Sequence, residues 1–150
     1  RTMLDRNAVG RTTPPTLNEV EKGAIRRFAE SLGDYNPVYF DAEYARASGF
    51  AGVVAPPSFP LSFTSSVDLR ELLGVPARQL LLAEWAADYE RPVVAGDRLL
   101  LTSRVAEVTE RPSPAGRVEV AVIEDEARDE LGALVVRVRR TYVVRSTREA

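Results

Sequence analysis

Pro76 separates two halves of different apolar period, and no other feature of this chain narrows its fold as much. After it, residues 80–90, 97–109, 118–125 and 133–144 have the makings of strands. Val118, Val120 and Val122 alternate with Glu119 and Ala121. Leu134, Val136, Val138, Tyr142 and Val144 share one parity of the last segment, while Arg137, Arg139 and Arg140 fall on both faces. Residues 111–116, with two prolines and a glycine, and residues 129–132 supply turn chemistry between them. Helical spacing first and consecutive strands afterwards predict an α+β domain with an antiparallel sheet.

Ahead of Pro76, residues 1–15 are polar, end in Thr12-Thr13-Pro14-Pro15, and are expected as an extended lead-in. Residues 16–20 suit a short strand. Ile25, Phe28, Ala29 and Leu32 stand at helical spacing over residues 21–32, and Gly33 follows as a stop. A second short helix is expected over residues 41–48, with Asp41 as N-cap, Glu43 in its first turn and Gly49 after its end. The run Val53-Val54-Ala55-Pro56-Pro57-Ser58-Phe59-Pro60 predicts a rigid entry into a longer helix that ends near Leu73-Gly74. Phe59, Phe63, Val67 and Leu73 would form its apolar face. Ser58, Ser62, Ser65 and Ser66 would let a sheet wrap it closely. With no internal repeat or linker, residues 1–150 are expected to form one domain.

Composition removes several classes of function. A net charge of −2 gives no reason to expect a nucleic acid or an anionic membrane as partner. Zero cysteines and zero histidines exclude disulfides, thiolate nucleophiles and the common zinc sites, and no metal site is expected. Apolar runs are too short for a membrane span, and Arg1-Thr2-Met3-Leu4-Asp5-Arg6 lacks the apolar run of a secretory leader. A cytoplasmic protein is the expectation.

Three segments occur in order ahead of the closing strands: Phe28-Ala29-Glu30-Ser31-Leu32-Gly33-Asp34-Tyr35-Asn36-Pro37, Gly52-Val53-Val54-Ala55-Pro56-Pro57-Ser58-Phe59, and Tyr89-Glu90-Arg91-Pro92-Val93-Val94-Ala95-Gly96-Asp97. Together they resemble the MaoC-like (R)-specific enoyl-thioester hydratases and 3-hydroxyacyl-thioester dehydratases, and within these the FAS1-like or MaoC-type N-terminal dehydratase domain. The resemblance implies a hot-dog fold, a long central helix wrapped by a curved antiparallel sheet. It also implies a dimer or pseudo-dimer whose seam binds acyl-CoA or acyl-carrier-protein thioesters. No separate cofactor is implied, since CoA or phosphopantetheine arrives as part of the substrate.

In that family an Asp and a His stand five positions apart. Asp34 falls on the Asp, and Tyr39 takes the place of the His. Adding or removing water across a thioester's Cα–Cβ bond needs a proton carrier of suitable pKa and donors for the developing enolate. Histidine titrates near neutrality, whereas a tyrosine at about 10 is a poor base and an aspartate at about 4 is a weak one unless buried. The family's oxyanion N–H aligns with Pro57, which has none, so Ser58 offers the nearest substitute. Glu84, in the otherwise apolar Leu80-Leu81-Leu82-Ala83-Glu84-Trp85-Ala86, is expected to be partly buried with a raised pKa, or else to face solvent near a strand end. The catalytic candidates are thus Asp34, Tyr39 and Glu84, and the substrate-binding candidates Asn36, Pro57, Ser58, Phe59 and Trp85. Each has a structural counterpart: Asp34 and Asn36 as turn residues, Tyr39 as packing, Trp85 as core or interface filler. Gly96-Asp97 is expected only to open a strand.

Three functions follow from the resemblance. The first is the histidine-less subunit of a dehydratase or hydratase, paired with a histidine-bearing hot-dog subunit. The second is a homodimeric enzyme that uses carboxylates for thioester hydrolysis or conjugate addition in a fatty-acid or polyketide-like pathway. The third is an acyl-thioester binding scaffold without turnover. A lone unit would leave a sheet edge and half a tunnel exposed, so a dimer is expected in each case.

Overall fold

The computed structural model describes residues 4–114 and 116–144. Five strands, β1 (Thr16–Glu19), β2 (Leu80–Tyr89), β3 (Arg98–Ser113), β4 (Gly116–Arg128) and β5 (Leu134–Val144), pair antiparallel in the order β1-β3-β4-β5-β2. Irregular pairing between Val105 and Glu107, between Leu82 and Glu84, and between Ala127 and Arg128 bends the strands, as bulges do. Three helices, α1 (Lys22–Leu32), α2 (Ala42–Ala47) and α3 (Leu69–Leu73), precede β2.

α1 forms where the spacing predicts it. It buries Ile25 and Ala29, and Ile25 packs with Val20, Phe59, Leu99, Val136 and Val138. It stops because Gly33 takes φ +68°, a conformation that costs glycine little, and its N–H caps the last turn. Asp41 caps α2 by accepting from the Glu43 and Tyr44 N–H groups at 3.0 and 3.1 Å. A second core cluster joins Leu72, Leu73 and Val75 to Val105, Ala121, Ile123 and Tyr142.

Three expectations change. The long helix over the residues before Gly74 is two short pieces, a 3-10 turn at Phe59–Ser62 and the five-residue α3. Between them the chain is extended at Phe63. Ser62 donates back to the Phe59 carbonyl at 2.6 Å and Ser65 accepts from the Val67 N–H, so these serines turn the backbone instead of lining a helix face. The lead-in is also built into the molecule. Leu4 and Ala8 are buried, residues Arg6–Ala8 make a 3-10 turn, and Thr13 accepts from the Ser103 N–H; residues 1–3 lie outside the described residues. Finally, β3 and β4 consume most of the expected turn at 111–116, pairing Ser113 with Gly116; Ala115 lies outside the described residues.

The two sheet edges differ. β1 has four residues, and the loop after the 3-10 turn covers it: Asn18 exchanges bonds with the Thr64 N–H and carbonyl, and Thr16 accepts from Ser66 N–H. β2 has ten residues, pairs among the described residues only with β5, and exposes Leu81 (53%), Leu82 and Trp85 (40%) in the single chain. A long, apolar, unpaired edge invites another strand.

Candidate active site and a neighbouring cavity

The loop from Asp34 to Asp41 is built from side chains that satisfy their own backbone. Asp34 accepts from the Asn36 N–H at 3.1 Å, and Asn36 accepts from the Val38 N–H at 3.2 Å, opening a 3-10 turn at Pro37–Tyr39. The Val54 N–H reaches the Val38 carbonyl at 2.9 Å and ties this loop to the segment leading to Pro57. Asp34 and Asn36 are exposed. Tyr39 is half-buried against the first core cluster. Burial, and then the Asp34 carboxylate, push its phenol above 10. Asp34 and Tyr39 share this loop, and both burial and the carboxylate's charge keep the phenol protonated at neutral pH.

Pro57 is exposed and Ser58 half-buried at the head of the Phe59–Ser62 turn. The Pro57 carbonyl accepts from the Tyr89 hydroxyl at 2.5 Å, which pins this turn to β2; burial pushes the Tyr89 phenol to about 12. Phe59 is a core residue, its ring edge-on to Phe28 at 5.4 Å and to Phe63 at 5.8 Å. It holds the turn on the sheet.

Of the two expectations for Glu84, the solvent-facing one holds and partial burial does not. It is exposed, because β2 is an edge with solvent on both faces in the single chain. Trp85 is likewise not core; with Glu84 it lines a shallow hollow beside Arg139 and Thr141.

A larger feature escaped the sequence reading. Where the long helix is broken, a cavity of about 350 Å³ opens between residues 60–72 and the sheet, within the size range of small-molecule sites. Leu61, Phe63, Val67, Leu72 and Leu101 give it apolar walls. Ser103, Asp125 and Arg140 give it a polar floor. Register explains the cluster: Ser103 stands opposite Asp125, and Arg140, opposite Ile123, is the diagonal neighbour of Asp125 on the same face. Ser103 shares a 2.6 Å hydrogen bond with Asp125. Arg140 places Nη2 2.8 Å from Asp125 Oδ1 and Nε 2.7 Å from Oδ2, and donates from Nη1 to the Tyr142 hydroxyl at 2.8 Å. The Asp125 and Arg140 side chains are 7% and 19% exposed. Burial works against the guanidinium charge, but Asp125 more than offsets it and holds the group above its usual range. The sequence did carry a signal: Arg140 stands on the parity of Val136, Val138, Tyr142 and Val144, and Asp125 on that of Ala121, Ile123 and Ala127. Opposite charges on two apolar parities mark a buried pair.

Residues 7–138 match the model of the FAS1-like, dehydratase domain region. A UPF0336 protein of Streptomyces griseus is 42% identical over 152 residues, covering 98% of this chain and 99% of that one; another, of Saccharopolyspora erythraea, is 32% identical over 97% and 94%. Among solved structures, a C-terminally truncated HadBC (3R-hydroxyacyl-ACP dehydratase) complex of Mycobacterium tuberculosis superposes with TM-score 0.79 at 23% identity, covering 95% of this chain and 99% of that one. A MaoC-like dehydratase gives 0.78 at 25% identity over 93% of this chain and 43% of that one. The (R)-hydratase of A. caviae gives 0.65 at 19%, over 92% and 96%. The five-stranded sheet with its few helices is thus the hot-dog fold.

Proposed function

The chain belongs to the FAS1-like dehydratase-region family, and from that premise we propose that it is the histidine-less subunit of a 3-hydroxyacyl-thioester dehydratase or enoyl-thioester hydratase. One observation carries the reading. Where the resemblance places a histidine there is Tyr39, whose phenol is held above 10 by burial and by Asp34. At neutral pH that group stays protonated; it can donate a hydrogen bond but cannot take a substrate proton at a useful rate. The oxyanion position is held by Pro57, which has no N–H to give.

On this reading the chain contributes acyl-chain volume, and a histidine-bearing hot-dog subunit contributes the proton relay. Its ligand is an acyl-CoA or acyl-carrier-protein thioester, with no cofactor beyond the pantetheine arm that the substrate brings. The ten-residue β2 edge is where the partner's sheet would continue, and the HadBC complex supports the arrangement as a heteromeric relative in fold. Among the described residues no helix is long and apolar enough to cross a membrane; the reading assigns the pair to the cytoplasm.

A second reading rests on Glu84. It lies on that same open edge, so a second copy of the chain would bury it at a homodimer seam, where a desolvated carboxylate could serve thioester hydrolysis or conjugate addition.

The two separate on co-expression with histidine-bearing hot-dog proteins of the same genome, followed by native mass determination. The first reading expects a 1:1 heterodimer that is active on enoyl-CoA, and that is lost when Leu81→Glu and Trp85→Glu charge the β2 edge. A homodimer that turns over thioesters and is silenced by Glu84→Gln would replace it with the second.

A further inference from the structure

The cavity floor bears on which acyl chains this protein takes. A tunnel meant only for alkyl chain needs no charge in its wall, and burying one is costly unless it is paired. Asp125 and Arg140 neutralise each other, so the floor has no net charge to offer an anion.

Hydrogen-bond capacity is left over. A guanidinium has five N–H donors. Nη1 spends one on Tyr142 and Nη2 one on Asp125, while Nε faces Asp125 Oδ2, which leaves one N–H on each terminal nitrogen without an acceptor among the described residues. The hydroxyl of Ser103, engaged with Asp125 Oδ1, keeps lone-pair capacity beside it. In the empty cavity water can serve these groups. A saturated chain would expel that water and return nothing, the situation in which buried polar groups cost most. A neutral oxygen would accept from Arg140, and a hydroxyl would also have an acceptor in Ser103 or Asp125.

We propose that Ser103, Asp125 and Arg140 form a specificity subsite for an uncharged oxygen on the acyl chain, a hydroxyl or keto group remote from the thioester, so that the preferred ligand is an oxygenated acyl thioester. The inference rests on the acyl-thioester reading above and deepens it. Location agrees: Pro60 and Leu61 line the cavity and stand two and three positions after Ser58, so on that reading the floor lies away from the thioester end.

Calorimetric titration of the protein with dodecanoyl-CoA, with hydroxy- and oxo-dodecanoyl-CoA bearing oxygen along the distal half of the chain, and with the ω-carboxyl analogue tests it. At least one neutral oxygenated chain should bind about tenfold more tightly than dodecanoyl-CoA, the worth of roughly one charge-assisted hydrogen bond. In the paired variant Arg140→Met with Asp125→Leu, which removes both charges together and spares the fold an orphaned ion, that preference should shrink below about threefold or reverse. Circular dichroism and a denaturation midpoint establish that the variant is folded. Should it not fold, Ser103→Ala, which leaves the ion pair intact, must still reduce the preference for the hydroxylated chain. Equal or tighter binding of dodecanoyl-CoA by the parent protein overturns the subsite while leaving the acyl-thioester reading in place. So does an unchanged preference in a folded paired variant. Tightest binding of the ω-carboxyl chain would make this an anion site instead. Failure of every thioester to bind overturns both the subsite and the reading beneath it.

Discussion

Two polar groups in this molecule each include an aspartate and a tyrosine, and the two differ in almost every respect that governs chemistry. In the loop after α1, Asp34 is exposed, its oxygen accepts the Asn36 N–H, and Tyr39 lies half-buried nearby. On the cavity floor, Asp125 is buried, held by Ser103 and Arg140, with Tyr142 on the other side of the guanidinium. Water screens the first pair, and local turn geometry accounts for its hydrogen bonds. The second is largely buried, and its bonds cross three strands. The Asp34 side chain thus serves a turn, while a buried ion pair lies on the floor of the cavity.

Breaking the floor should have the largest effect. Asp125→Ala leaves Arg140 charged and unpaired in the cavity, and should lower folding stability by roughly 3–5 kcal/mol, read from denaturant unfolding. Tyr142→Phe removes only the acceptor of Arg140 Nη1 and should cost about 1–2 kcal/mol in the same assay. At the loop, Asp34→Asn keeps a turn-forming side chain in an exposed place and should stay within about 0.5 kcal/mol of the parent. If Asp34→Asn proved as damaging as Asp125→Ala, the contrast would fail.

The smallest effect is electrostatic and confined to alkaline pH. Tyr39 has a folded pKa raised above its unfolded value of about 10, so the neutral phenol favours the folded state. The stability it contributes is complete below pH 10 and is lost as pH rises through the folded pKa. Tyr39→Phe should flatten that alkaline decline. Asp34→Asn, by removing the second cause of the shift, should move the Tyr39 phenolate absorbance to lower pH in a spectrophotometric titration.

Local signals in the sequence were dependable. The α1 spacing with its Gly33 stop, the Asp41 cap and the four strands after Pro76 appear where period and turn chemistry place them, within a few residues. The Asp34-to-Asp41 motif correctly marked a loop. The long helix failed because its apolar positions, Phe59, Phe63 and Val67, pack against the sheet equally well from a 3-10 turn and an extended segment, and Pro60 and the serine back-bonds favour that path. For Glu84 the sequence leaves burial and exposure both open, because an apolar run such as 80–86 has the same composition in a buried strand and in an open edge. The floor cluster was legible in principle from strand parity, but Ser103, Asp125 and Arg140 lie up to 37 positions apart, and only the β3-β4-β5 register joins them.

On the proposed function, this chain holds an acyl thioester without the means to hydrate or dehydrate it. Incubating the pure protein with crotonyl-CoA and longer enoyl-CoA substrates, and following loss of enoyl absorbance, tests that claim most directly when binding of the same thioesters is measured in the same sample. The expected result is saturable binding with no turnover until a histidine-bearing hot-dog subunit is added. Turnover by the chain alone, abolished in Asp34→Asn or Glu84→Gln, would contradict it.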